Sequence, residues 1–253
     1  MNDLVNRKVL VTGASRGIGR AIAHAFAVRG AQVALNYRDN DAAAAEAIDS
    51  LSGSGHCLVK ADLSMADGAL RVVERAIAGL SGLDTVINNA GIFEHHPPAS
   101  TAFAEWMSAW QATLAINLTG PANVCWAAAQ HMITAGGGHI INVTSRGAFR
   151  GEPNAPAYGA SKAGLNSLTQ SLAVALAPHA IYVAAVAPGF VETDMAATSL
   201  TGESGKAIRA QSPLGRVARP EEVASAVLFL ASPGAEFATG AIIDVNGASY
   251  LRS

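Results

Sequence analysis

Little of the sequence is charged, and cysteine is nearly missing. Of 253 residues, 17 are Lys or Arg and 19 are Asp or Glu, giving a formal net charge of −2. Without a basic surplus the chain lacks the electrostatic footprint of a nucleic-acid binder. No polybasic stretch offers a hold on an anionic membrane. The two cysteines, Cys57 and Cys125, form neither a disulfide framework nor a metal-ligand spacing. They read as buried small hydrophobes in a reducing compartment, and no metal site is expected. No apolar run reaches transmembrane length. The opening MNDLVNRKVL contains an acid and no apolar core segment, so it does not read as a signal peptide. Together these absences point to the cytoplasm. What the sequence does have is hydrophobic bulk, 50% of its residues. That is ample for a core on both faces of a sheet in one large domain.

Seven short β-rich runs alternate with longer Ala-rich stretches. The runs are KVLVTG (8–13), AQVALN (31–36), HCLVKA (56–61), DTVINN (84–89), HIINVTS (139–145), IYVAAV (181–186) and AIIDVN (241–246). Most are continuously apolar, the mark of parallel strands covered on both sides. Helical periodicity occupies 17–29, 42–51, 66–80, 103–134 and 156–177, and a last helix starts at Pro220 with Glu221 and Glu222 in its first turn. Proline at the first helical position and acids near the positive dipole end both suit a helix start. The alternation predicts a single α/β domain, a Rossmann-type, doubly wound parallel sheet of about seven strands with helices on both faces. Within 1–253, a cofactor half is expected over about 7–135 and a catalytic and substrate part over about 136–253. The stretch 188–213, rich in Gly, Thr and Ser, is long enough to be an irregular lid.

The first turn carries the clearest chemical signal. LVTGASRGIG (10–19) runs from the first strand into the first helix, with glycines spaced G-x-x-x-G-x-G. Backbone N–H groups at such a helix start present partial positive charge to a phosphate, and glycine lets the ligand approach bare backbone. A tight strand–helix turn without a ligand would also favour glycine. Its place at strand one of a full α/β alternation favours a dinucleotide.

TGASRGIG (12–19), NNAG (88–91), YGASK (158–162) and APG (187–189) occur in this order, with Ser145 thirteen residues before Tyr158. In these motifs the chain resembles the short-chain dehydrogenase/reductase family, from Lys8 to about Ser249. The resemblance implies an enzyme that moves a hydride between a nicotinamide and a carbonyl or secondary alcohol. It places the cofactor pyrophosphate in the loop of Gly13, Ser15, Arg16, Gly17, Ile18 and Gly19. It further implies contacts from Asp62 and Leu63 near the adenine, from Asn89, Ala90 and Gly91 along the ribose, and from Pro188, Gly189, Val191 and Thr193 around the nicotinamide. Asp62 has a competing role as a turn residue in ADLS. Asn88 is expected to tie neighbouring strands together.

The second strand ends ALNYRDN, and the resemblance places the position that distinguishes the two nicotinamide cofactors on uncharged Tyr37. Arg38 follows it and Arg16 lies in the loop; two guanidiniums could grip a 2′-phosphate, which favours NADP(H) over NAD(H). Asp39 and Asp41 keep a ribose-binding acid open as the other reading.

Tyr158 and Lys162 are four apart, hence on one helical face. A free tyrosine has a pKa of about 10; a nearby ammonium and an oxidised nicotinamide would lower it enough for proton transfer. The resemblance adds a bond from Lys162 to the nicotinamide ribose. Ser145, at a strand end, would orient the substrate carbonyl. Thr144 competes for that role, but strand alternation points it the other way. Asn117, inside the helical stretch 103–134, invites a local distortion. By resemblance it stabilises a kink and holds a water that links the lysine to solvent. Adjacent His95 and His96 read as rim residues facing solvent, not as ligands.

PLGRVARPEEVA and VNGASYLR resemble the 3-oxoacyl-(acyl-carrier-protein) reductase branch. Against a carrier partner stand Gly136 and His179, where that branch tends to offer arginines, so an acidic carrier would lose steering. The alternative is an alcohol, sugar or steroid dehydrogenase acting on a free small molecule. A dinucleotide-sensing module without catalysis is a third reading, opposed by the intact Ser145, Tyr158 and Lys162. The resemblance implies a homotetramer built on 103–134, 156–177 and the last strand.

Overall fold

The computed structural model describes residues 4–252. In chain order the elements are β1 (Lys8–Val11), α1 (Gly17–Val28), β2 (Gln32–Tyr37), α2 (Asp41–Asp49), β3 (Cys57–Lys60), α3 (Ala66–Leu80) and β4 (Thr85–Asn88). Then follow α4 (Phe103–Leu114), a π-helical turn (Ala115–Thr119), α5 (Gly120–Ala135), β5 (Gly138–Val143), α6 (Gly147–Arg150) and α7 (Pro156–Leu176). The last third holds β6 (Ile181–Pro188), α8 (Asp194–Ala197), α9 (Gly202–Ala210), α10 (Pro220–Ala231) and β7 (Ile242–Val245).

The strands form one seven-stranded sheet, ordered β3-β2-β1-β4-β5-β6-β7, and every pairing is parallel. This is the doubly wound sheet that the alternation predicts. Alternate strand residues serve opposite faces. Val9 and Val11 join a core with Ile22, Phe26, Leu35 and Val227, while Leu10 joins one with Val72, Val86, Val124 and Ile140. Phe26 is 1% exposed, and truncating such a side chain costs about 3–5 kcal/mol. The chain reverses its direction of winding between β1 and β4, so the carboxyl ends of these strands open a crevice there.

The helical stretch 103–134 is interrupted at its centre by the π-turn, where a local distortion at Asn117 was expected. Pro121, in the first turn of α5, has no N–H to continue the ladder, and the Asn117 side chain is held by bonds outside the helix. The predicted lid is not irregular: it folds into α8, a 3₁₀ turn (Thr198–Leu200) and α9. Its signals are local, with Glu203 in the first turn of α9 and Arg209 in the last. The small, polar side chains of GESGKAIRA include too few apolar residues for the helix to stand out in the sequence.

Candidate active site

The glycine loop is locked to the end of β4. Thr12 Oγ1 accepts the N–H groups of Asn89 and Ala90 at 2.9 and 3.0 Å. The Asn89 amide donates to the carbonyls of Thr12 and Gly13. Gly13 has φ +61°, and a Cβ there would lie 2.9 Å from Ala90 Cα; only glycine permits both. A Cβ on Gly19 would run into the Gly13 carbonyl and the Asn89 amide. Gly19 is buried below the loop, where its lack of a Cβ lets α1 approach.

A cleft of about 670 Å³ opens along the carboxyl ends of β1, β2, β4, β5 and β6. All the residues expected at the cofactor line it except Gly19. At its near end α1 has no side-chain cap and no acid in its first turn. By contrast, Asn40 caps α2 by accepting the Ala43 N–H at 2.9 Å. The uncapped N–H groups of α1 suit a phosphate. A Cβ on Gly17 would lie 3.3 Å from Thr193 Cγ2, so the loop and the lid nearly meet across the cleft. The residues present therefore fit a dinucleotide.

At the end of β2 the Tyr37 hydroxyl donates to Asp41 at 2.7 Å, and Lys60 Nζ holds the same carboxylate at 2.9 Å. The Tyr37 phenol is held above its ordinary pKa, chiefly by that bond to Asp41. Arg38 Nε pairs with Asp39 at 2.5 Å, both side chains exposed. Asp39 lines the cleft, whereas Asp41 is engaged beside it. Asp62 performs its competing turn role, accepting the Ser64 N–H at 2.9 Å, and also lines the cleft.

The far wall collects the chemical residues. Ser145 follows β5, and its hydroxyl accepts the Gly147 N–H at 3.0 Å. Thr144 turns the other way and donates to the Val186 carbonyl at 3.0 Å. Tyr158 and Lys162 stand on successive turns of α7; the Lys162 nitrogen is 5.8 Å from the Tyr158 ring centroid and donates to the Val143 carbonyl at 2.9 Å. Burial pushes Lys162 down to about 8. Burial also raises the Tyr158 phenol, with the Ser145 hydroxyl pulling it back and the Glu152 charge pushing it further up. In this geometry burial is the largest influence on the phenol, and the Lys162 ammonium is turned toward the Val143 carbonyl.

Asn117 sits behind this wall, fully buried and outside the cleft lining. Its oxygen accepts the Ile92 N–H at 2.8 Å and its amide donates to the Ile92 carbonyl at 2.9 Å. A Cβ on Gly91 would lie 3.2 Å from Asn117 Oδ1 and 3.5 Å from Lys162 Nζ, so Gly91 separates the two. Asn88 does join β4 to β5: its amide donates to Asn142 at 2.9 Å, and Asn142 in turn donates to Thr169 of α7 at 2.8 Å.

His96 is not a rim residue. It is 1% exposed; Nδ1 donates to the Glu94 carbonyl and Nε2 accepts the Ala157 N–H at 3.1 Å. The ring thereby pins the loop after β4 to the start of α7. His95 is exposed, edge-on to Phe93, which in turn packs edge-on to Tyr158 at 4.9 Å between centroids. Cys125 is buried and its thiol pushed up to about 12 by desolvation, while Cys57 is only half-buried. Sequence reasoning passed over Asn36, whose side chain accepts the Gly13 N–H and donates to the Val59 and Ala61 carbonyls. It also passed over Arg146 and Glu152 in the cleft wall. A lone polar residue in an apolar strand was the available signal for Asn36. Among the described residues no group of three or more His, Cys, Asp or Glu could hold a metal ion.

A doubly wound sheet with a glycine loop at its switch point and a Ser, Tyr and Lys on one wall defines a nicotinamide-dependent oxidoreductase. The family model described as enoyl-(acyl carrier protein) reductase matches residues 13–248. The chain belongs to the short-chain dehydrogenase/reductase family, whose members act on alcohol and ketone groups with NAD(P). It is 40% identical to a cis-4-hydroxycyclohexanecarboxylate dehydrogenase from Sinomonas cyclohexanicum over 95% of each chain. It is 37% identical to a 3-oxoacyl-(acyl-carrier-protein) reductase from Chlamydia trachomatis, covering 96% of this chain and 97% of the other. A solved structure from Beutenbergia cavernae with NADP bound at low occupancy superposes with a TM-score of 0.87 at 34% identity, over 98% of both chains.

Proposed function

We propose that the protein is an NADP(H)-dependent oxidoreductase that interconverts a small ketone and its secondary alcohol. The observation that carries this reading is the meeting of Ser145, Tyr158 and Lys162 on one wall of a cleft that begins at the uncapped N-terminus of α1. When bound, the nicotinamide supplies hydride exchange. In reduction, Tyr158 gives its proton to the carbonyl oxygen, and in oxidation it takes one from the alcohol. The Ser145 hydroxyl orients that oxygen. Lys162, with its low pKa, holds the ribose and hands protons toward Tyr158. Asn117 fixes the Ile92 segment and serves the water relay behind Lys162. Arg16 and Arg38 hold the 2′-phosphate; Asp41 is engaged by Tyr37 and Lys60, and Asp39, which lines the cleft, is paired with Arg38.

The relatives divide between carrier-bound and free substrates. Gly136 and His179 precede β5 and β6, at the amino ends of these strands and opposite the cleft. The absence of arginine there therefore bears on a carrier only across an assembly. The near-neutral chain gives an acidic carrier little steering, which favours a free substrate; the reductase relative supports the carrier-bound reading. The working form is a cytoplasmic homotetramer, with exposed Trp126, Ile133 and Val174 on α5 and α7 as its apolar contacts. Light scattering measures that state. The test of function is a carbonyl panel read at the NADPH absorbance, repeated with NADH and with Tyr158→Phe. Turnover faster with NADPH, lost in Tyr158→Phe while cofactor still binds, is the expected result. Cofactor binding without turnover on any carbonyl would establish a sensor instead.

A further inference from the structure

The substrate end of the cleft holds more positive than negative charge, and the meaning drawn from this rests on the oxidoreductase reading above. Arg146 and Arg150 lie on either end of α6, directly after Ser145, and both line the cleft. Arg146 is only 3% exposed. Its Nη1 donates to Ser249 Oγ at 2.5 Å and its guanidinium carbon lies 5.3 Å from the Phe190 ring centroid, both neutral partners. Among the described residues no carboxylate reaches it within ion-pair distance. Arg150 has a side chain 30% exposed, and its one ion pair is Nε to Glu152 at 3.6 Å, too long for a hydrogen bond. Its Nη atoms bond to nothing among the described residues. Glu152 thus pairs with Arg150 alone and reaches Arg146 only as a longer-range charge. Lys162 adds a further amine on α7, and Asp194 of the lid, exposed, pairs with neither arginine.

A buried cation without a matching anion is costly. A guanidinium with a free edge recognises a carboxylate bidentately. We propose that the substrate carries its own carboxylate, as a keto acid or hydroxy acid. Arg150 pairs with that group, and Arg146 supplies the positive charge behind it. Phe93, Phe190 and Ile208 line the cleft beside them and suit a compact apolar body between the two functional groups.

Matched pairs test this: acetoacetate against its methyl ester, and 4-oxocyclohexanecarboxylate against its methyl ester, in wild type and Arg150→Met. The acids should have kcat/KM at least about tenfold higher than the esters, and the ratio should collapse toward one in the variant. As a readout independent of turnover, cyclohexanecarboxylate should raise the melting temperature in the presence of NADP⁺ where cyclohexanecarboxamide does not. Esters reduced as well as acids by the wild type, or an acid preference that survives in Arg150→Met, would overturn the proposal and leave the oxidoreductase reading standing. No turnover of acids, esters or a wide neutral carbonyl panel would overturn both.

Discussion

Replacing Asn117 by Leu tests how the π-turn holds the site. Leucine is close in volume but can neither accept the Ile92 N–H nor donate to the Ile92 carbonyl, which Asn117 meets at 2.8 and 2.9 Å. The bond to Ser161 is the weaker one, at 3.3 Å, and Ser161 keeps its own bond to the Tyr158 carbonyl at 2.7 Å. The loss is therefore two backbone groups. An orphaned buried group costs about 1–3 kcal/mol. Ile92 is only partly buried, so the lower half of that range applies, roughly 2–4 kcal/mol for the pair. For a chain of this length each kcal/mol lowers Tm by about 2–4 °C, so a fall of roughly 4–16 °C is expected. Ile92 follows Gly91 in the cleft wall, so NADPH binding should weaken along with stability. Thermal melting by circular dichroism and NADPH fluorescence titration measure the two. A variant that melts with the wild type and binds NADPH as tightly would refute the assignment of Asn117 as the clamp on this wall.

Three further outcomes follow from the same geometry. Glu152→Gln removes a charge that raises the Tyr158 phenol; the rise of alcohol oxidation with pH should move to lower pH, and a move to higher pH would contradict the sign. Lys162 is buried with its pKa lowered to about 8, so between that value and its unfolded value of about 10.4 the unfolded chain holds more protons and stability rises with pH. Lys162→Met should abolish turnover yet raise stability at pH 7 by a net of roughly 1–2 kcal/mol after loss of the Val143 bond, with the gain shrinking as pH climbs past 8; a lower melting temperature at pH 7 would count against it. Arg38→Leu should cut kcat/KM with NADPH at least about tenfold while leaving NADH nearly untouched; equal losses with both cofactors would remove Arg38 from the 2′-phosphate site.

The strand order of events along the chain, the doubly wound sheet and the dinucleotide turn were legible in the sequence. Their signals are local and redundant: continuous apolar runs such as VAAVA (183–187), an N1 proline at Pro220, and glycines that only a tight approach requires. The pairing of Tyr158 with Lys162 was legible too, because helical spacing alone sets one face. What the tertiary structure decided are the properties that depend on distant neighbours. An Asn inside a helical stretch announced a local distortion, but Asn117 lies 25 residues from Ile92, and no local pattern announces that contact. His96 looked like its exposed neighbour until packing against Ala157 buried it. The burial and the Glu152 charge that push the Tyr158 phenol up are properties of the whole wall. Arg146 is an ordinary surface residue by composition; only the fold encloses it beside Phe190 and Ser249 without an acid. Periodicity encodes which way a side chain faces along its own element, whereas charge balance and solvation are set by residues brought together from across the chain.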